Sequence, residues 1–135
     1  MIHANDWPTA LAPLHAKRAG FAGKTVLTIH NIAHQGIFPK DALPKTGLTW
    51  DDFTPSCAEF YGSVNLLKAG ILAADVVTTV SDTYANEIRT EAGGHRLDGV
   101  VREKGALVGI LNGIDYSIWN PATDSVLAGR FDGED

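Results

Sequence analysis

Three short runs rich in β-branched residues constrain this chain more than any other feature. Val26-Leu27-Thr28-Ile29, Val76-Val77-Thr78-Thr79-Val80 and Leu107-Val108-Gly109-Ile110-Leu111 are each bounded by polar or glycine positions. Near-continuous apolar strands of this kind suit a parallel sheet covered on both faces. Helical patterns lie between them, which gives the β-α-β rhythm of an α/β fold with a Rossmann-like parallel sheet and flanking helices. With 135 residues, the chain supports one core of moderate size rather than two domains.

The stretch 56–75 reads as one long helix. Ser56 and Glu59 form a capping-box pattern, and Phe60, Val64, Leu67, Ile71 and Ala74 make an apolar stripe. A second helix is expected over 8–18, with Pro8 at its first position and a kink or irregular turn at Pro13. Shorter helices are expected over 83–90, after Ser81-Asp82, and over 97–104, before Gly105. Residues 31–48, with two prolines and two glycines, read as a functional loop, and 120–135 as a linker or surface tail. The opening His3-Ala4-Asn5-Asp6-Trp7-Pro8 looks like a strand end turning into a helix, so the chain is expected to be a piece of a larger protein.

Composition excludes several functions. Eleven basic residues against sixteen acidic ones leave a net charge of −5, unsuited to broad binding of nucleic acid or anionic lipid. No apolar run approaches the ~20 residues of a membrane span. The lone Cys57 permits neither an internal disulfide nor a multi-cysteine zinc site, and together with the absence of a signal-peptide pattern it favours a cytoplasmic setting. A Gly-rich phosphate loop and a Gly-x-Ser-x-Gly elbow are both lacking. Asp51-Asp52 reads as the start of a helical turn, and Cys57 as a small buried residue.

Ligands of open parallel sheets gather at the carboxyl ends of the strands. Those ends carry Asn5, Asp6 and Trp7, then His30 and Asn31, then Ser81 and Asp82, then Asn112, Gly113 and Asp115. Helix capping and turn geometry account for Ser81 and Asp82 but poorly for Trp7 and His30. His30 is the most pointed of these residues. An imidazole donates from one nitrogen and accepts at the other, which suits a sugar hydroxyl, and it can serve as acid or base near neutrality. His30 and His34 are four apart, but a strand–loop junction does not turn both to one metal, and no third ligand is suggested nearby.

Six motifs in series carry a resemblance: His3-Ala4-Asn5-Asp6-Trp7, Thr28-Ile29-His30-Asn31-Ile32-Ala33-His34-Gln35-Gly36, Glu59-Phe60-Tyr61-Gly62, Leu67-Lys68-Ala69-Gly70-Ile71, the stretch from Thr79 to Ile88, and Gly109-Ile110-Leu111-Asn112-Gly113-Ile114-Asp115. Together they resemble the bacterial glycogen synthase and starch synthase family that uses ADP-glucose, over nearly the whole chain. The resemblance implies a retaining GT-B glycosyltransferase, with residues 1–119 as the second half of its N-terminal, glucan-acceptor-side domain. It also implies His30 as the active-site histidine that contacts the transferred glucose, with Asp6 as a second catalytic position. Trp7, Asn31 and Asn112 become substrate-contacting residues, and Gln35, Gly36 and Tyr61 belong to substrate-binding motifs.

On this reading the substrates are ADP-glucose and an α-1,4-glucan. The leaving phosphate helps to deprotonate the incoming hydroxyl, so neither cofactor, metal nor enzyme nucleophile is called for. The family's Lys-Thr-Gly-Gly-Leu motif is expected upstream and its C-terminal domain downstream, so the chain alone is expected to be inactive. Lys45-Thr46-Gly47-Leu48 lacks one glycine of that motif and is a decoy, while Pro8 and Asp82 depart from the family pattern. The rival readings are a GT-B enzyme with another donor such as UDP-glucose, and a non-catalytic carbohydrate-binding module. A third is a truncated piece prone to self-association.

Overall fold

The computed structural model describes residues 1–133. Its centre is a four-stranded parallel sheet of β1 (Ile2–Asn5), β2 (Thr25–Ile29), β6 (Val76–Thr79) and β7 (Leu107–Gly109), in the order β1-β2-β6-β7. Five short helices join these strands: α1 (Asp6–Thr9), α2 (Ala12–Arg18), α3 (Leu66–Ala73), α4 (Asp82–Glu87) and α5 (Asp98–Lys104). A small antiparallel sheet of β3 (Ile37–Pro39), β5 (Ser63–Asn65) and β4 (Glu59–Phe60) sits between β2 and α3 in the chain. The α/β class and its parallel sheet agree with the sequence reading.

Alternation within the strands places the core. Ala4, Leu27, Ile29, Val77 and Leu107 are buried with Leu67 and Ile71 of α3, Ala85 of α4 and Val101 of α5. The neighbouring positions His3, Val26, Thr28, Val76, Thr78 and Val108 project to the other side of the sheet. There a polar line crosses three strands, from His3 Nε2 to Thr28 Oγ1 at 2.6 Å and on to Thr78 Oγ1 at 2.6 Å. Within this chain, the expected covering of the sheet is present on one face. Val26 and Val76 are only half-buried and Val108 is exposed, because the helices of this chain pack on one side.

The long helix over 56–75 is corrected. Tyr61 (φ 50°) and Gly62 (φ 80°) reverse the chain and split the stretch into the β4–β5 hairpin and a helix that starts only at Leu66. Asn65 caps α3 by accepting from Lys68 N–H at 2.9 Å. The stripe from Phe60 to Ala74 is buried throughout, so its periodicity marked burial correctly although two kinds of element supply it. Ser56 and Cys57 lie in a turn, and Ser56 caps nothing.

The helix expected over 8–18 is instead two helices. The break falls at Ala10-Leu11, which puts Pro13 near the start of α2, where its missing N–H costs nothing. The loop expected over 31–48 contains β3 and a 3₁₀ stretch, Lys40–Thr46. The helices near 83–90 and 97–104 match α4, capped by Ser81, and α5. The tail expected over 120–135 consists of turns and irregular backbone as far as Gly133; the last two positions of that span lie outside the described residues.

Two contacts give stability predictions. Gly70 of α3 lies so close to α1's C-terminal neighbour that an added Cβ would overlap the Ala10 carbonyl oxygen. Because that obstacle is backbone, Gly70→Ala is expected to lower unfolding stability by about 1–3 kcal/mol in urea titration, despite alanine's better helix propensity. Asp52, ending the 3₁₀ turn Trp50–Asp52, accepts from both Arg18 guanidinium nitrogens and from Thr49 N–H at 2.8 Å. The Arg18 hydrogen bond chiefly holds its carboxyl down at about 2. A lowered carboxyl pKa stabilises the fold fully above the ordinary carboxylate range, near 4, and that contribution disappears as pH falls through about 2. The stability difference between the native protein and Asp52→Asn should therefore be constant above pH ~5 and shrink toward pH 2, read by denaturant titration at each pH.

Candidate active site

The site begins at the first strand end. β1 stops at Asn5, and Asp6 enters the left-handed region (φ 53°), a conformation that aspartate tolerates better than most residues and that clusters at functional sites. This turn aims the Asp6 carboxylate across the strand ends at His30, the residue after β2. Oδ1 accepts from the His30 backbone N–H at 2.7 Å, and Oδ2 lies 3.0 Å from His30 Nδ1. A carboxylate has no proton to give, so Nδ1 donates, and in the neutral form of the ring the lone pair is on Nε2. The pair is only partly covered, with side-chain exposures of 44% for His30 and 32% for Asp6. The imidazole is thus fixed in rotation and tautomer while its far nitrogen stays accessible.

His30 lines a depression of about 430 Å³ together with Asn5, Thr78, Ile110 and Asn112. The depression runs over the open face of the parallel sheet, past Met1, His3, Val26, Thr28 and Val76, to the rim at His30, Val80, Ile110 and Asn112, and two of the expected site residues, His30 and Asn112, share it. Asp6 reaches the depression through His30.

The other expected residues are placed differently. Trp7 packs edge-on to Phe38 at 5.8 Å between ring centroids, and any Cβ at Gly36 (φ 62°) would strike its indole at 2.5 Å. Glycine at position 36 is thus required by the Trp7 ring as well as by the backbone. Asn31 is exposed; its Oδ1 accepts from Ala33 N–H at 2.9 Å and shapes the loop after His30. Gln35 is 6% exposed, and both ends of its amide are engaged within the protein. Nε2 donates to the His95 carbonyl at 2.9 Å, and Oε1 accepts from Asn65 Nδ2 at 2.7 Å. Tyr61 stands on the β4–β5 turn, outside the depression that His30 lines.

Sequence reasoning missed four bracing residues. The Tyr84 hydroxyl accepts from Ile32 N–H at 3.0 Å, Asn65 grips Gln35, and the Leu66 and Leu67 amides bond to the Gly36 and Gln35 carbonyls. Together they pin the loop that follows His30 to the start of α3 and to α4. Only Asn65 had a visible signal, a capping residue directly before Leu-Leu-Lys.

Cys57 is half-buried and its thiol is pushed up, chiefly by burial and then by the nearby Asp52 charge, the opposite of an activated nucleophile. Lys45 to Leu48 closes the 3₁₀ stretch against α2, where His15 Nε2 meets the Thr46 carbonyl at 3.1 Å; it has no part in the His30 depression. Among the described residues no three His, Cys, Asp or Glu side chains gather as a metal site, and no helix is long and apolar enough to cross a membrane.

Known proteins share this arrangement of sequence and fold. The family model described as "Starch synthase catalytic domain" matches residues 1–103. The "Glycogen synthase" of Geotalea daltonii is 51% identical over 97% of this chain and 28% of its own length. That of an Anaeromyxobacter strain is 49% identical over 100% of this chain and 30% of its own. The chain therefore spans under a third of the length of these curated relatives. Among solved structures, the catalytic domain of starch synthase IV from Arabidopsis thaliana, bound to ADP and acarbose, aligns with 99% of this chain and 29% of its own. The TM-score there is 0.79 and the identity 35%. A family model that covers most of the chain, and relatives that share half its residues from end to end, lead to one conclusion: the chain belongs to the starch synthase catalytic domain family.

Proposed function

We propose that this chain is part of a retaining GT-B glycosyltransferase that moves glucose from ADP-glucose to the non-reducing end of an α-1,4-glucan. The observation that carries the proposal is the Asp6–His30 pair at the strand ends, in a chain half-identical to glycogen synthases. A starch synthase of the same fold that binds ADP and acarbose supports a nucleotide-sugar donor and a glucan acceptor. Residues 1–119 would form the second half of the acceptor-side domain, with 120–135 leading onward. The partners of this segment would be the remaining stretches of the same polypeptide. A free thiol at Cys57 suits a reducing, cytoplasmic setting.

The chemistry that the geometry supports is positioning and electrostatic stabilisation. As ADP departs, positive charge develops on the sugar ring, and groups already fixed in place stabilise it without reorganising. His30, held at two atoms by Asp6, presents Nε2 to accept from a hydroxyl of the transferred glucose. Asn112, exposed in the same depression, offers both a donor and an acceptor. Among the described residues the Asn31 side-chain NH₂ has no partner while its oxygen shapes the loop, so it can donate to a second hydroxyl.

The test places this segment in a whole enzyme, in place of the corresponding stretch of the Geotalea daltonii glycogen synthase. The graft is expected to transfer radiolabelled glucose from ADP-glucose to glycogen with α-1,4 linkage, while the 135-residue chain alone transfers none. A folded graft that used only UDP-glucose, or no donor, would replace this reading with another donor class or with a binding module.

A further inference from the structure

Two hydroxyl groups at the corner where β6 turns into α4 reach back across the rim of the site. Thr79, the last residue of β6, is 1% exposed, and its hydroxyl donates to the Ile29 carbonyl at 2.7 Å. Tyr84, in the first turn of α4, accepts at its hydroxyl from the N–H of the buried Ile32 at 3.0 Å. The two bonds fall on either side of His30, one on the residue before it and one two residues after it. Asp6 holds the histidine from β1, and this corner holds its backbone from β6, the strand on the other flank of β2.

The same corner grips the other arm of the site. The Thr79 carbonyl accepts from the Ile110 N–H at 2.8 Å, two residues before Asn112. Gly109 of β7 lies so close to the start of α4 that an added Cβ would overlap the Asp82 nitrogen. At the far end of α4, the Arg89 guanidinium donates to the Ala85 carbonyl at 3.3 Å and to the Gly105 carbonyl at 3.2 Å, which ties the helix to the approach of β7. Tyr84 is fixed in turn: its N–H donates to Ser81 Oγ at 3.0 Å, and its ring packs against the core. The corner from Thr79 to Tyr84 is thus joined to the arm that carries His30 and to the arm that carries Asn112.

We infer that this corner sets the spacing of His30 and Asn112, and that Tyr84 is a positioning residue for glucose transfer. Tyr84 does not line the depression, so it acts on a bound sugar through the Ile32 amide. The reaction it serves rests on the function proposed above, whereas the clamp rests on the hydrogen bonds alone. Groups preset around a reacting centre depend on what stands behind them, because a displacement of about 1 Å can cost 10²-fold in rate. Tyr84→Phe keeps the ring and its packing and leaves the buried Ile32 N–H without its acceptor.

Two measurements test the inference. In the isotope-labelled 135-residue chain, Tyr84→Phe should keep a dispersed spectrum and speed hydrogen exchange at the Ile32 amide at least about tenfold, with exchange in α5 unchanged. In the grafted enzyme, well below its denaturation midpoint, the same change should lower kcat at least about tenfold and leave KM for ADP-glucose within about twofold. Thr79→Ser, which retains the hydroxyl, should stay near the parent kcat, whereas Thr79→Val should fall as Tyr84→Phe does. Unchanged exchange at Ile32 would overturn the clamp. Parental kcat in Tyr84→Phe, or a loss matched by an equal loss of folded protein, would overturn the positioning role. If the parent graft transfers no glucose, the function proposed above falls and the positioning role with it, while the exchange measurement still decides the clamp.

Discussion

In the grafted enzyme, His30→Ala is expected to lower kcat at least several hundredfold while its denaturation midpoint stays close to that of the parent graft. The side chain is partly exposed and takes no part in the buried core, so its loss opens no cavity. On the function proposed above, what disappears is a fixed hydrogen-bonding group at the reacting sugar. Removing one such preset group commonly costs about 10²–10³ in kcat. The loss should fall mainly on kcat, because stabilisation that grows with charge development is felt in the transition state more than in the bound substrate. Steady-state kinetics with ADP-glucose and glycogen separate the two parameters. Near-normal kcat would remove His30 from the reaction.

Asp6→Asn is expected to be nearly as damaging, although it exchanges one oxygen for nitrogen. Asparagine tolerates the left-handed backbone at position 6, so the turn itself survives. Its side chain, however, has only one acceptor where Asp6 uses two. If the amide oxygen keeps the His30 N–H, the NH₂ faces Nδ1 and can be satisfied only when Nδ1 carries no proton. The neutral ring is then forced into the tautomer with the proton on Nε2, and the cleft meets a donor in place of an acceptor. A comparable tautomer reversal in a serine protease triad lowers kcat about 10⁴-fold. A loss of about 10²–10⁴ is expected here, with glucan KM less affected than kcat. Asp6→Ala should be milder in tautomer control but should loosen the turn, since the His30 N–H also loses its acceptor.

The sequence made the sheet and its rim legible because strand ends are marked locally. A β-branched run followed at once by Asn, His or Ser-Asp identifies a carboxyl end without knowledge of the partner strand. His30 and Asn112 were found this way and do share a depression. What could not be read was pairing between distant residues. Nothing in the local sequence states that Asp6, turned by its own φ of 53°, would reach two atoms of a residue 24 positions away.

The long helix over 56–75 failed for a related reason. The spacing of Phe60, Val64, Leu67 and Ile71 reports burial, and a hairpin followed by a helix can bury the same positions. Tyr61-Gly62 and the capping Asn65 were the local signals that outranked periodicity. Gln35 shows the same limit from the other side: its amide type suits a sugar contact, yet burial and two internal partners make it a brace for the loop after His30.

The tautomer of His30 tests the central claim most directly, through nitrogen NMR of the 135-residue chain at pH 8 in the native sequence and in Asp6→Asn. The geometry predicts a neutral ring protonated on Nδ1 in the native chain, reversed to Nε2 protonation in the variant. A native ring protonated mainly on Nε2, or the same tautomer in both proteins, would contradict the account: Asp6 would then not be what sets the face that His30 shows to the sugar.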